Sequence, residues 1–379
     1  MPAKSLKIAV ACSLISLLST SVDAYACTSG LFGASVTRDG RPLLWKHRDT
    51  SAVDNKVEYI PAEDGTFAYV GLFNAADRDC AEAWAGFNTA GLAIMNTASY
   101  NIKDDDVPEK EMDREGIIMT MALRHCANID DFAHLLDTLP RPLGVEANFG
   151  VFDASGNGAF FETNNHSYVR HNLADQPSAA IIRTNYSHSG RPAEGFGYIR
   201  EANALHLLTP IIEDREVSPE FLTETVSRSF YHDMFGYDML QNSSCRWAID
   251  QDFIPRYKSS AVVVIEGLPE DSDLSNPGQG YVMWTGLGYP PCSEIYPVEC
   301  RPDGVDNRLR GLGPDGHAEL SDRAKQRRDE VFPRRHDNGD RYIDLRALYN
   351  AEGTGYIQTL VPQNLESYAT YRRNHRNKR

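Results

Sequence analysis

The chain has 379 residues, seven cysteines and a formal charge of −15 at neutral pH. This length holds one large domain with a sizeable core, and the acidic balance argues against a nucleic-acid partner. No stretch reaches the roughly 18 apolar residues that a bilayer span needs, so no membrane span is expected.

At the amino end, Lys4 and Lys7 head a short apolar run at 8–18, and Ala24-Tyr25-Ala26 closes it as a signal peptidase site would. Residues 1–26 read as a signal peptide. The protein is then exported, periplasmic or secreted, with 27–379 as a single domain. Residues 28–36 alternate like a strand, turn at Asp39-Gly40 and return through Leu43-Leu44-Trp45, which predicts a hairpin. Strands are expected at 67–72 and 91–96. Helical periodicity follows in Ile117, Ile118, Met121 and Ala122, and again in Phe132, Leu135, Leu136 and Leu139.

The middle returns to strands at 148–153, 159–163, 167–170 and 179–183. Helices are expected at 197–208 and after Ser218, a serine cap with Pro219 in the first turn. Two further strands fall at 261–266 and 281–285. From about 303 the chain is charged and irregular, a C-terminal extension with helices near 318–330 and 342–350. Its basic end, 372–379, reads as a solvated tail. Strands and helices come in blocks without βαβ alternation, so the expected class is α+β with mostly antiparallel sheets.

Six cysteines remain after the leader. Disulfides are the default in an exported protein, with Cys292 and Cys300 the expected pair. Cys27 is the one that follows the cleavage site. It is an ordinary residue, a lipid anchor or a nucleophile. A lipobox needs a large aliphatic residue three before the cysteine and a small one two before, and here those are Ala24 and Tyr25. A terminal cysteine carries a thiol and an α-amine that titrates near neutrality, so the residue holds its own proton acceptor. The return strand brings Asp49 near that terminus, where a carboxylate would hold the amine. The His47-Arg48-Asp49 triplet lacks the asparagine spacing and glycine loop of a kinase. Asn96 and Asn185 each end an apolar strand, and Arg246 lies between Cys245 and Trp247. The stretch 337–344 faintly suggests calcium, although a solvated turn explains it. Sequons occur at Asn165, Asn185 and Asn242.

Five segments in order resemble the N-terminal-nucleophile hydrolases of the choloylglycine hydrolase/penicillin V acylase family and the related isopenicillin N acyltransferase-type peptidases. They are C-T-S-G-L-F (27–32), W-K-H-R-D (45–49), N-T-A-G-L-A-I-M-N (88–96), R-T-N-Y (183–186) and S-S-C-R-W (243–247). The resemblance implies a four-layer αββα sandwich. It implies Cys27 as nucleophile, Asp49 orienting its amine and thiol, and Asn185 holding the amine and the tetrahedral intermediate. Asn96 would lie near the oxyanion, and Arg246 would be the family's arginine. The family usually has arginine three residues before the aspartate; here Lys46 stands there and Arg48 adjoins the aspartate, and which of them faces the site is open.

The implied reaction is hydrolysis of a linear amide, or acyl transfer, on a small-molecule amide substrate, without metal or organic cofactor. Loops near 50–80, 100–115 and 186–197 are expected to shape substrate binding. The acyl group and a homo-oligomeric state stay open. Two rival classes are a surface lipoprotein or binding module acylated on Cys27, and a papain-like protease using His47 or His188 as base.

Overall fold

The computed structural model describes residues 26–241, 245–270 and 272–376. All of the expected signal peptide but Ala26, and the Asn242 sequon, lie outside the described residues. Strands β1 (Thr28–Phe32) and β2 (Leu43–Asp49) form the expected hairpin, with Phe32 opposite Leu43. The chain then leaves to build β3 (Asn55–Ile60), β4 (Tyr69–Asn74), β5 (Ala85–Asn88), β6 (Ala93–Ala98), β7 (Ala147–Phe152), β8 (Gly158–Thr163) and β9 (Tyr168–Asn172). These seven pair in chain order as an antiparallel meander, with helices α1 (Glu115–His125) and α2 (Ile129–Thr138) inserted before β7.

Strand β10 (Ala180–Arg183) comes back beside β1. Helices α3 (Tyr198–Glu213) and α4 (Pro219–Glu224) follow, then a small hairpin of β11 (Tyr231–His232) and β12 (Tyr237–Asp238). After β13 (Trp247–Ile249), strands β14 (Ser259–Glu266), β15 (Val282–Leu287) and β16 (Ile295–Val298) complete a six-stranded sheet in the order β10-β1-β2-β14-β15-β16. The end of the chain adds α5 (Glu319–Val331), β17 (Arg334–Arg335), β18 (Arg341–Asp344), α6 (Leu345–Leu348) and α7 (Tyr356–Arg376).

The two sheets lie face to face. Leu31, Leu44, Val263 and Ile265 of one pack against Val57, Leu72, Phe87 and Met95 of the other. On the far side of the meander, Ile118 and Leu123 of α1 and Phe132 of α2 cover Tyr69, Ile94 and Phe149. On the far side of the six-stranded sheet, Leu208 of α3, Leu222 of α4 and Tyr368 of α7 cover Trp45, Val264 and Trp284. The architecture is the expected αββα sandwich, because each sheet has two apolar faces and each face must find a partner layer.

Four expectations are corrected. Residues 50–80 are not one loop: they hold the paired strands β3 and β4, with connecting segments at 50–54, 61–68 and 75–80. The 342–350 helix is only the short α6, preceded by β18. The basic tail is a helix through Arg376, anchored by Arg372 to Asp39 at 2.6 Å and Glu220 at 3.1 Å. No disulfide joins the described cysteines. Cys292 lies in the cluster formed by Phe230, Val331 and Phe332, whereas Cys300 lies between the two sheets.

Candidate active site

Cys27 sits at the start of β1, between β10 and β2, and is buried. The register that sets Ser29 opposite Arg183 carries two residues further to bring Asn185 beside Cys27. Asn185 Oδ1 accepts from the Cys27 nitrogen at 2.9 Å, and Asn185 Nδ2 donates to the Ala98 carbonyl at 3.0 Å. The thiol faces the main-chain oxygen of Asp49 at 3.8 Å. Asn165 and Asn185 are both fully buried, so neither sequon presents a glycan site.

Alternation along β2 sorts its four polar residues onto two faces. Lys46 and Arg48 point between the sheets with Leu44; His47 and Asp49 point outward with Trp45. Lys46 Nζ donates to Trp84 O and to Asn96 Oδ1, both at 2.7 Å. Asn96 thus reaches the cluster through Lys46. Burial, with Arg48 nearby, pulls Lys46 down to about 7, against the opposing pull of Cys27 and Glu115. Arg48 stacks over Trp84, its CZ 4.8 Å from the ring, and donates to Asn55 and to Asn74 at 2.9 Å. Both cations thus face the side where Cys27 lies. Glu115 beyond Lys46 is pushed up to about 8 by burial.

Contrary to the expectation from the sequence, the Asp49 carboxylate does not accept from the Cys27 nitrogen, which bonds Asn185 instead. One carboxylate oxygen takes a hydrogen bond from Ser259 Oγ at 2.6 Å, and the other an ion pair with Arg256 at 3.0 Å. The extra residue Ser260 makes a bulge in β14 at this point, which aims Ser259 at Asp49. His47 Nε2 meets Ser259 Oγ at 2.9 Å, and burial holds the imidazole down at about 4. His188 bonds Glu201 at 2.9 Å. Both candidate bases of the papain-like reading are thus engaged with residues other than Cys27.

Arg246 stands apart from this cluster. Its half-exposed guanidinium clasps Asp344 at 2.7 Å and stacks on Trp247. The arginines beside Cys27 and Asp49 are two that sequence reasoning passed over. Arg256 lies in the irregular segment before β14, with no periodicity to mark it. Arg200 had a signal: it shares a four-residue stripe with Ala204 and Leu208, the buried face of α3. It donates to the Cys27 carbonyl at 2.6 Å and to Asn185 Oδ1 at 2.7 Å. An aromatic rim adjoins. Tyr100 and Phe196 both donate their backbone N–H to Asn185 O, and their rings meet edge to face at 5.4 Å.

Residues 38–206 match the model of the acyl-coenzyme A:6-aminopenicillanic acid acyl-transferase family. The resemblance read from the motifs is borne out. The matched residues include Lys46, Asp49, Asn96, Asn185 and Arg200, whereas Cys27 precedes them and Arg246 and Arg256 follow. Solved structures similar to the chain include an N-acylethanolamine-hydrolyzing acid amidase ortholog of Caenorhabditis elegans, at 12% identity and TM-score 0.43, covering 69% of this chain and 99% of that one. A conjugated bile acid hydrolase variant from Clostridium perfringens is similar at 11% identity and TM-score 0.43, covering 74% and 95%. A penicillin V acylase from Agrobacterium tumefaciens is similar at 10% identity and TM-score 0.37, covering 72% and 86%. No curated protein matches in sequence.

Proposed function

We propose that the protein is an exported amidase or acyltransferase in which signal-peptide removal before Cys27 creates the nucleophile. The observation that carries this reading is the pair of contacts at Cys27: its nitrogen on Asn185 Oδ1 at 2.9 Å and its sulfur against Asp49 O at 3.8 Å. In the mature chain that nitrogen is an amine. It takes the thiol proton, and sulfur attacks the substrate's carbonyl carbon. The Nδ2 hydrogens of Asn96 and the free one of Asn185 suit the developing oxyanion. The C–N bond then breaks as the ammonium returns its proton to the leaving amine. Water, or a second amine, attacks the thioester and regenerates the thiol. The aromatic rim of Tyr100 and Phe196 suits an apolar acyl group.

The test is the intact mass of the secreted protein, with and without iodoacetamide, beside turnover of a panel of linear amides. A chain starting at Cys27 whose activity dies on single alkylation supports the proposal. An active chain starting elsewhere, or one carrying a diacylglyceryl mass on Cys27, removes it.

A further inference from the structure

We infer that Arg200 is a positioning residue for this chemistry: it locks the Asn185 amide in the orientation that presents Oδ1 to the Cys27 nitrogen, and its charge keeps that nitrogen unprotonated once it is a free amine. The inference rests on the N-terminal-nucleophile reading above.

Asn185 Oδ1 accepts from both Cys27 N at 2.9 Å and Arg200 Nη2 at 2.7 Å. A flipped amide would turn its N–H groups against two donors, so the guanidinium selects one orientation. The same guanidinium reaches the Cys27 carbonyl at 2.6 Å through Nη1, and Thr28 Oγ1 at 3.3 Å. It therefore spans the nucleophile residue from its carbonyl to the acceptor of its nitrogen. A lysine would keep the charge without the fork. The chain is shaped around this group. Gly197, at φ 96°, starts α3 where a Cβ would lie 2.5 Å from Arg200 Nη2.

The charged groups clustered around Cys27 and Arg200 come from several elements. Arg200 comes from α3, and Lys46, Arg48 and Asp49 from β2. Asp252 and Arg256 precede β14, and Glu115 lies behind Lys46. The carboxylate of Asp49 is already bound to Arg256 and Ser259. Cations outnumber carboxylates in this cluster, and Cys27 is buried, so a further positive charge on its nitrogen is disfavoured. The amine is then a base at lower pH than the ordinary range of about 7.7–8.0.

The experiment compares secreted wild type, Arg200→Gln and Arg200→Lys by N-terminal mass, circular dichroism and the pH dependence of kcat/KM on the best amide of the panel. Arg200→Gln is expected to move the acidic limb up by roughly one pH unit, about tenfold less activity below the limb. Arg200→Lys should leave the limb in place and lower kcat. A folded Arg200→Gln chain that starts at Cys27 with an unmoved limb overturns the inference and leaves the mechanism intact. If Arg200→Gln does not fold, Arg200→Lys decides: undiminished kcat overturns the positioning role. A wild-type enzyme that is active without a terminal Cys27 instead defeats the underlying reading.

Discussion

The two faces of β2 treat buried charge differently. Outward, Asp49 is matched by the Arg256 guanidinium and a serine hydroxyl, and His47 is held neutral beside them. Inward, Lys46 bonds only neutral oxygens, with no carboxylate at ion-pair distance among the described residues. One face is a compensated structural lock. The other holds an under-compensated cation next to the proposed nucleophile, and perturbed groups of this kind gather where chemistry is done.

The largest effect expected is on turnover. Cys27→Ala, on the inner side, should abolish amide cleavage and the thioester adduct seen by mass spectrometry, with urea unfolding little changed. Residual turnover above background would mean that the inward face is not the reactive one. On the outward face, Asp49→Ala leaves the half-buried Arg256 without its counter-charge and Ser259 Oγ without its acceptor, and about 1–3 kcal/mol of stability should be lost in urea titrations. A loss below about 1 kcal/mol would end the claim that this face is a lock.

A pH series sharpens the contrast. Lys46 falls from 10.5 to about 7 on folding, so between those values the unfolded chain binds the extra proton and stability rises with pH. Lys46→Met removes this slope. Its urea midpoint should therefore exceed the wild type's most at pH 7 and below, by an amount that shrinks by up to about 1.4 kcal/mol per unit as pH rises above 7. A pH-independent difference would show that Lys46 keeps its proton. The smallest effect belongs outside both faces. Arg246→Ala removes a half-exposed, solvent-screened pair with Asp344 and should leave the urea midpoint almost unmoved and kcat/KM unchanged. A hundredfold loss of activity would restore Arg246 to the site.

Much of the framework was legible because it is local. The Asp39-Gly40 turn between apolar runs announced the β1–β2 hairpin, and the Ser218-Pro219 pair announced α4, whose cap is formed by Ser218 Oγ on Phe221 N. Strand β3 was not legible. Its Asn55-Lys56-Val57-Glu58 run alternates weakly, and it is an edge strand covered from afar, with Glu58 accepting from Arg310 and Gly311. Helix α7 was hidden by its internal Pro362 and charged end. It is placed by Tyr368 packing on Trp284 at 4.0 Å.

By itself, then, the sequence determined the hairpin that carries Cys27, the strand end that carries Asp49 and the strand that runs into Asn185; Asn96, expected at a strand end, lies inside β6. Backbone periodicity and turn chemistry settle these over a few residues. Tertiary structure alone decided which arginines attend the cysteine. Arg200 and Arg256 arrive from α3 and from the segment before β14, more than 170 residues along the chain in the case of Arg200 on Cys27. A cation's partner is set by which charges burial brings together, and no local pattern encodes that.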